Sequence, residues 1–134
     1  MHIRGVLTRR LVMVEDFDDA VALYETLFRQ PVRTRFDYRE KGLRVAQVGQ
    51  VLLIGGSAAS LEPFRATAMT FLVSDLSGYA AYLPTIGATI VRAIQKVPSG
   101  RNMLVRHSDQ SLIEYVEHDN PNPADDVLGL TESE

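Results

Sequence analysis

Residues 11–28, LVMVEDFDDAVALYETLF, decide the fold, because their pattern returns 59 residues later in residues 70–87, TFLVSDLSGYAAYLPTIG. In the first copy a short apolar run, Leu11–Val14, reads as the end of a strand. Asp16 then stands where a helix N-cap is expected, and Asp18 and Asp19 place negative charge in the first turn, where the helix dipole favours it. Ala20, Leu23, Tyr24, Leu27 and Phe28 follow at helical spacing and predict one apolar helix face. In the second copy Ser74-Asp75-Leu76 takes the place of Glu15-Asp16-Phe17. Tyr79, Tyr82, Leu83 and Ile86 trace the helical stripe, Gly87 is placed as its C-terminal cap, and Pro84 is expected to shorten or bend the last turn.

Outward from each helix the pattern changes to period two. Pro31 stops the first helix, and Val32, Thr34, Phe36 and Tyr38 alternate with Arg33, Arg35, Asp37 and Arg39 as a strand wet on one side. Lys41-Gly42 reads as a turn, and Leu43–Val48 and Val51–Ile54 as two further strands. After the second helix come Thr89–Ile94, Met103–His107 and Leu112–Glu117, separated by turns at Pro98-Ser99-Gly100 and Ser108-Asp109-Gln110. Both halves therefore read βαβββ, and an internal repeat is stronger evidence than either half alone. The expected organisation is one α+β domain over residues 1–118, with modules at about 8–54 and 66–117. Residues 55–65 are expected to form a flexible linker, and 119–134 a polar, acidic surface tail on which Val127, Leu128 and Leu130 are placed to dock.

Bulk properties narrow the function classes. The 134 residues suit a single domain with its own core, and a formal net charge of -3 argues against a nucleic-acid footprint. Nine of the 14 basic residues precede position 50 but alternate with apolar and acidic ones, as on a solvated sheet face. With no cysteine there is no disulfide, thiol nucleophile or thiolate metal site. No apolar run approaches the ~20 residues of a membrane helix, and no secretory leader is apparent, so a cytoplasmic location without membrane contact is expected.

Two tandem βαβββ modules resemble the vicinal-oxygen-chelate superfamily of glyoxalases, bleomycin-resistance proteins and ring-cleaving dioxygenases. The phrases Val14-Glu15-Asp16-Phe17 with Leu23-Tyr24 and Leu27-Phe28, and Phe71-Leu72-Val73-Ser74-Asp75-Leu76 with Ile86-Gly87-Ala88, resemble its two strand–helix passages. Arg106-His107-Ser108-Asp109-Gln110-Ser111-Leu112-Ile113-Glu114 is similar to its closing phrase, with Ser108 and Gln110 replacing the usual proline and glycine. The resemblance spans roughly residues 8 to 118. It implies a curved, mostly antiparallel sheet around a cavity, a homodimer, and in family enzymes a divalent metal with one ligand from each of four strands. Those four positions fall on Arg9, at or beside Leu53, on Ala68 and on Glu114. Only Glu114 is a metal-binding side chain, so no metal and no other cofactor is expected.

Glu114 is the leading site residue, as a polar anchor or a general base, and an ion pair with Arg9 would occupy the place of the metal. The plainer alternative is a carboxylate kept only to satisfy that arginine. His107 is a second acid–base candidate, although a histidine opening an Asp-containing turn more often bonds locally. Phe36, Tyr38 and Met103 are candidate pocket walls beside the ligand contacts Arg9 and Glu114, with the default of strand aromatics being the core. Arg44, Arg101 and Asn102 are candidates for a cavity mouth with solvent as their default, and Glu117 and His118 default to the surface. Three functions follow: a metal-independent protein binding an unknown small organic molecule, a lyase, isomerase or hydrolase using Glu114 as acid/base, or a dimerising interaction module.

Overall fold

The 59-residue echo is realised in the computed structural model, which describes residues 1–128, as two βαβββ modules in an α+β fold. The first contains β1 (Ile3–Met13), α1 (Phe17–Phe28), β2 (Thr34–Tyr38), β3 (Leu43–Val48) and β4 (Val51–Gly56). After α2 (Ala58–Leu61), the second contains β5 (Met69–Val73), α3 (Leu76–Tyr82), β6 (Thr89–Val97), β7 (Gly100–Arg106) and β8 (Leu112–His118). Pairing is mostly antiparallel, β2 with β3, β3 with β4, β6 with β7 and β7 with β8. The first strand of each module lies parallel to its last, β1 to β4 and β5 to β8.

Two compact units result, residues 8–66 and residues 1–7 with those from 67 onward. In the first, the strand order is β2-β3-β4-β1, and α1 covers one face through Phe17 and Val21 against Ala46, Val48 and Leu53. The other face packs Leu43, Val45 and Ile54 against Leu61 of α2. In the second unit the start of β1 joins the order β1-β5-β8-β7-β6, and α3 with the turn that follows it covers one face through Leu76, Tyr79 and Leu83.

Each helix buries only part of the stripe read off the sequence, Ala20 and Tyr24 partly in the first module and Tyr79 and Leu83 in the second. Phe17 and Val21 are the buried residues of α1, with Ala20 and Tyr24 partly buried beside them, whereas Leu23 and Leu27 are exposed. At the equivalent positions of the second module Tyr82 and Ile86 are likewise exposed. Each helix carries two apolar stripes, and the sheet buries the one that includes the first residue after the cap. Pro84 acts as expected: α3 ends at Tyr82 and continues as a 3-10 turn over Leu83–Ile86, closed by Gly87 at φ 92°.

The expected flexible linker is a correction. Gly55 and Gly56 finish β4, Ser57 caps α2 by accepting from the Ser60 N–H at 3.0 Å, and Leu61 is buried. Gly55 is required there by close approach, since a Cβ would lie 2.6 Å from the Phe17 ring. The C-terminal segment docks on the start of β1. The Leu128 N–H donates to the Arg4 carbonyl at 3.3 Å, Arg4 reaches the Asn122 carbonyl at 3.2 Å and Asp126 at 3.8 Å, and Asp125 is buried. Val127 and Leu128 nevertheless stay largely exposed, and Leu130 lies outside the described residues.

Candidate functional site

Strand alternation in β8 sends Ile113 and Tyr115 under α3 and places Leu112, Glu114 and Val116 on the opposite face. Parallel pairing sets Thr70 of β5 directly beside Glu114, and antiparallel pairing sets Leu104 of β7 on its other side, with Asn102 two residues along the same face. The Thr70 hydroxyl donates to Glu114 Oε1 at 2.9 Å, and the Asn102 amide nitrogen donates to Oε2 at 3.1 Å. The Asn102 amide oxygen in turn accepts from Arg92 at 2.9 Å and from Gln95 at 3.3 Å. Thr70 and Asn102 are only 1% and 7% exposed.

This is a directed chain of donors. Arg92 and Gln95 fix which end of the Asn102 amide faces them, so the NH2 group is left pointing at the carboxylate. A buried amide or hydroxyl without a partner costs about 1–3 kcal/mol, which is the penalty these bonds avoid. Chemically, the result is a carboxylate held in one orientation by a donor on each oxygen, suited to accepting a hydrogen bond or a proton from a bound molecule.

Thr70 is not among the candidates read from the sequence, and Asn102, a cavity-mouth candidate with solvent as its default, instead braces Glu114. The signal was available. Thr70 is the one polar residue in Met69–Val73, and Asn102 precedes the apolar run Met103–Val105 at the same parity as Leu104. A lone polar side chain at an inward strand position needs a partner.

The remaining candidates scatter. Met103 is fully buried beneath α3 with Tyr79 and Tyr115, on the face away from Glu114, so it packs the core and is not a pocket wall. His107 also belongs to that side. Its Nε2 lies 2.7 Å from the Tyr115 hydroxyl, its N–H donates to the Ser111 carbonyl and its carbonyl accepts from Gln110. The structure thus does not bring His107 and Glu114 together, and His107 bonds locally. Phe36 and Tyr38 are half-buried in the other unit against Leu43, Val45, Ile54 and Leu61. Arg9 is half-buried on β1 of that unit, in register with Leu52. Arg44 stacks over the Phe17 ring at 5.0 Å, and Arg101 pairs with Glu117 at 2.5 Å. His118 is half-buried and not a surface residue. Burial lowers its pKa first, opposed by the charge of Asp125.

The donor set does not fit a divalent ion. Arginine and alanine stand at two of the four positions named by the resemblance. Leu53 points into the core under α1 while its neighbour Leu52 shares Arg9's face. Among the described residues no group of three or more His, Asp or Glu side chains converges to hold a metal.

Comparison with solved structures places this geometry in context. An uncharacterized protein from Methanosarcina mazei is 45% identical over 91% of this chain and 98% of its own, with a TM-score of 0.82. The chain belongs to the same family as that protein. At the level of fold, this chain is also similar to methylmalonyl-CoA epimerase, a vicinal-oxygen-chelate protein. The Mycobacterium tuberculosis epimerase aligns over 88% of this chain and 90% of its own at TM-score 0.66 and 18% identity. The Streptomyces coelicolor epimerase, solved with 2-nitronate-propionyl-CoA, aligns over 89% and 100% at TM-score 0.63 and 16% identity. No protein-family model and no curated protein matches the sequence.

Proposed function

We propose that this protein binds a small organic molecule on the sheet face around Glu114, without a metal, using the braced carboxylate as its polar anchor. The observation that carries the reading is the pair of hydrogen bonds from buried Thr70 and Asn102 to the two oxygens of Glu114. Apolar surroundings with a few fixed polar groups are the usual composition of a small-molecule site, and Leu112, Val116 and Leu72 supply the apolar part on this face. The fold shared with an epimerase solved in complex with an acyl-CoA analogue supports a second reading, in which Glu114 exchanges a proton with the bound molecule as an isomerase or lyase would require.

A thermal-shift panel of acyl-CoA thioesters, hydroxy acids and amino acids tests binding. A compound present at a hundredfold excess over its dissociation constant adds about 2.7 kcal/mol of stability, which is read as a rise in melting temperature. Glu114→Gln is expected to keep the unliganded melting temperature, because a glutamine oxygen still accepts from Asn102 and the Thr70 hydroxyl can turn to accept from its NH2. The same substitution is expected to lose the ligand-induced rise. A ligand response unchanged in Glu114→Gln refutes the anchor. Isotope exchange from deuterated water into a bound compound, lost in Glu114→Gln with binding retained, selects the second reading.

A further inference from the structure

Three residues that the Glu114 site does not use meet at the start of β1. Ser74 comes from the end of β5, His2 precedes β1, and Asp126 comes from the C-terminal segment, all within one compact unit. β5 ends at Val73, and Asp75 turns the chain into α3 through a left-handed conformation at φ 56°. Ser74 thus stands half-buried at a strand-to-helix corner, a placement that can expose a nucleophilic hydroxyl. Backbone pairing fixes it against His2. The Ser74 N–H donates to the His2 carbonyl at 3.0 Å, and the His2 N–H donates to Ser74 Oγ at 3.0 Å. The side chains then meet: Ser74 Oγ lies 3.2 Å from His2 Nδ1, closer than its 3.5 Å to the His2 carbonyl oxygen.

The far side of the ring is held by charge. His2 Nε2 lies 3.6 Å from Asp126 Oδ2, and Arg4 Nε lies 3.8 Å from the same oxygen. A carboxylate beside Nε2 favours the tautomer that carries its proton there, which leaves the Nδ1 lone pair facing the hydroxyl. The cluster is open to solvent, since the His2 and Asp126 side chains keep 17% and 25% of their exposure. The repeat supplies a control: at the place of Ser74 the first module carries Glu15, which is exposed, so the strand–helix passage does not require a serine there.

We propose that Ser74 is a nucleophile for acyl transfer to water, with His2 as its general base and Asp126 as a positioning residue. Ser74 Oγ attacks the acyl carbonyl while its proton passes to His2 Nδ1. The leaving group departs with that proton, and an ester forms on Ser74. Water then attacks this ester, giving a proton to His2 that returns to Ser74 Oγ as the carboxylic acid leaves. The backbone N–H that follows the nucleophile, that of Asp75, is engaged by Glu117 Oε2 at 3.2 Å. With that donor occupied, the centre suits acyl groups on good leaving groups, aryl esters and thioesters, and not amides. The proposal is independent of Glu114.

Incubating the full chain with p-nitrophenyl acetate tests it. A burst of p-nitrophenolate is expected, with an acetyl group mapped to Ser74 by mass spectrometry of the quenched protein. Ser74→Ala is expected to abolish burst and adduct, Ser74→Cys to retain both, and His2→Gln to slow acylation about a hundredfold. Asp126→Asn is expected to slow it too and Asp126→Glu to restore it, with circular dichroism confirming the fold of each variant. The adduct map of the wild-type chain decides the matter even where a variant fails to fold. No burst, an acetyl group elsewhere with Ser74 unmodified, or a burst that survives Ser74→Ala would each overturn the proposal.

Discussion

Replacing Tyr115 with alanine is expected to lower stability by about 3–5 kcal/mol, the range for deleting a large buried aromatic side chain. Tyr115 is 2% exposed and holds the core beneath α3 together. Its ring meets Phe71 edge-on at 5.3 Å, Tyr79 at 5.5 Å and His107 at 5.8 Å. The cavity left behind cannot be refilled easily, because Met103, Val105 and Leu83 around it are themselves buried in the same cluster. Tyr115→Phe separates ring from hydroxyl. It keeps the packing and removes only the bond to His107, for an expected loss of about 1 kcal/mol. Urea denaturation of the two variants checks the ratio, and similar losses in both would mean that the hydroxyl and not the ring is what matters.

The same pair of variants carries a pH signature. Burial, and secondarily Tyr79, pushes the Tyr115 hydroxyl up from 10.0 to about 12. The folded state therefore favours the neutral phenol more than the unfolded state does. That contribution is complete below pH 10 and is lost as pH rises toward 12. Tyr115→Phe is expected to flatten the alkaline decline in stability over that window.

Gly100→Ala is expected to cost roughly 3 kcal/mol or more, although it adds a single methyl group. Gly100 opens β7 opposite His118, and a Cβ there would lie 2.1 Å from the Glu117 carbonyl oxygen and 2.9 Å from the His118 Cα. Both are backbone atoms, so no side chain can turn aside, and relief requires β7 and β8 to separate locally. The functional consequence follows from position: Asn102 lies two residues along β7, and Glu114 on β8 receives its hydrogen bond. The substitution is therefore expected to reduce both the melting temperature and any ligand response that depends on Glu114. A melting temperature within a degree of wild type would show that the strand pair absorbs the methyl group, contrary to this account.

The site chemistry follows from how a sheet joins distant parts of a chain. Glu114 was recognisable as a carboxylate between apolar neighbours in a period-two segment. Its partners were not, because Thr70 and Asn102 stand 44 and 12 residues away and meet it only through one parallel and one antiparallel register. Sliding either register by one residue would turn Phe71 or Met103 toward the carboxylate instead. His107 shows the converse: it is close in sequence to Glu114, yet the alternation of β8 gives it Tyr115 as a partner on the other face.

Local pattern alone determined the order of the strands and the two long helices, the duplicated βαβββ plan and the turns at Gly42 and Gly87. These depend on backbone periodicity and residue chemistry, which act over a few neighbours. Tertiary structure decided which of two apolar stripes each helix buries. Phe17 and Val21 compete with Leu23 and Leu27 on equal hydrophobic terms until the sheet fixes the helix rotation. It also turned Gly55–Leu61 from an apparent linker into a strand end and a capped helix, because Phe17 needs the space that only glycine leaves. Strand register decided which donors brace Glu114, since cross-strand neighbours are set by pairing between segments and not by distance along the chain.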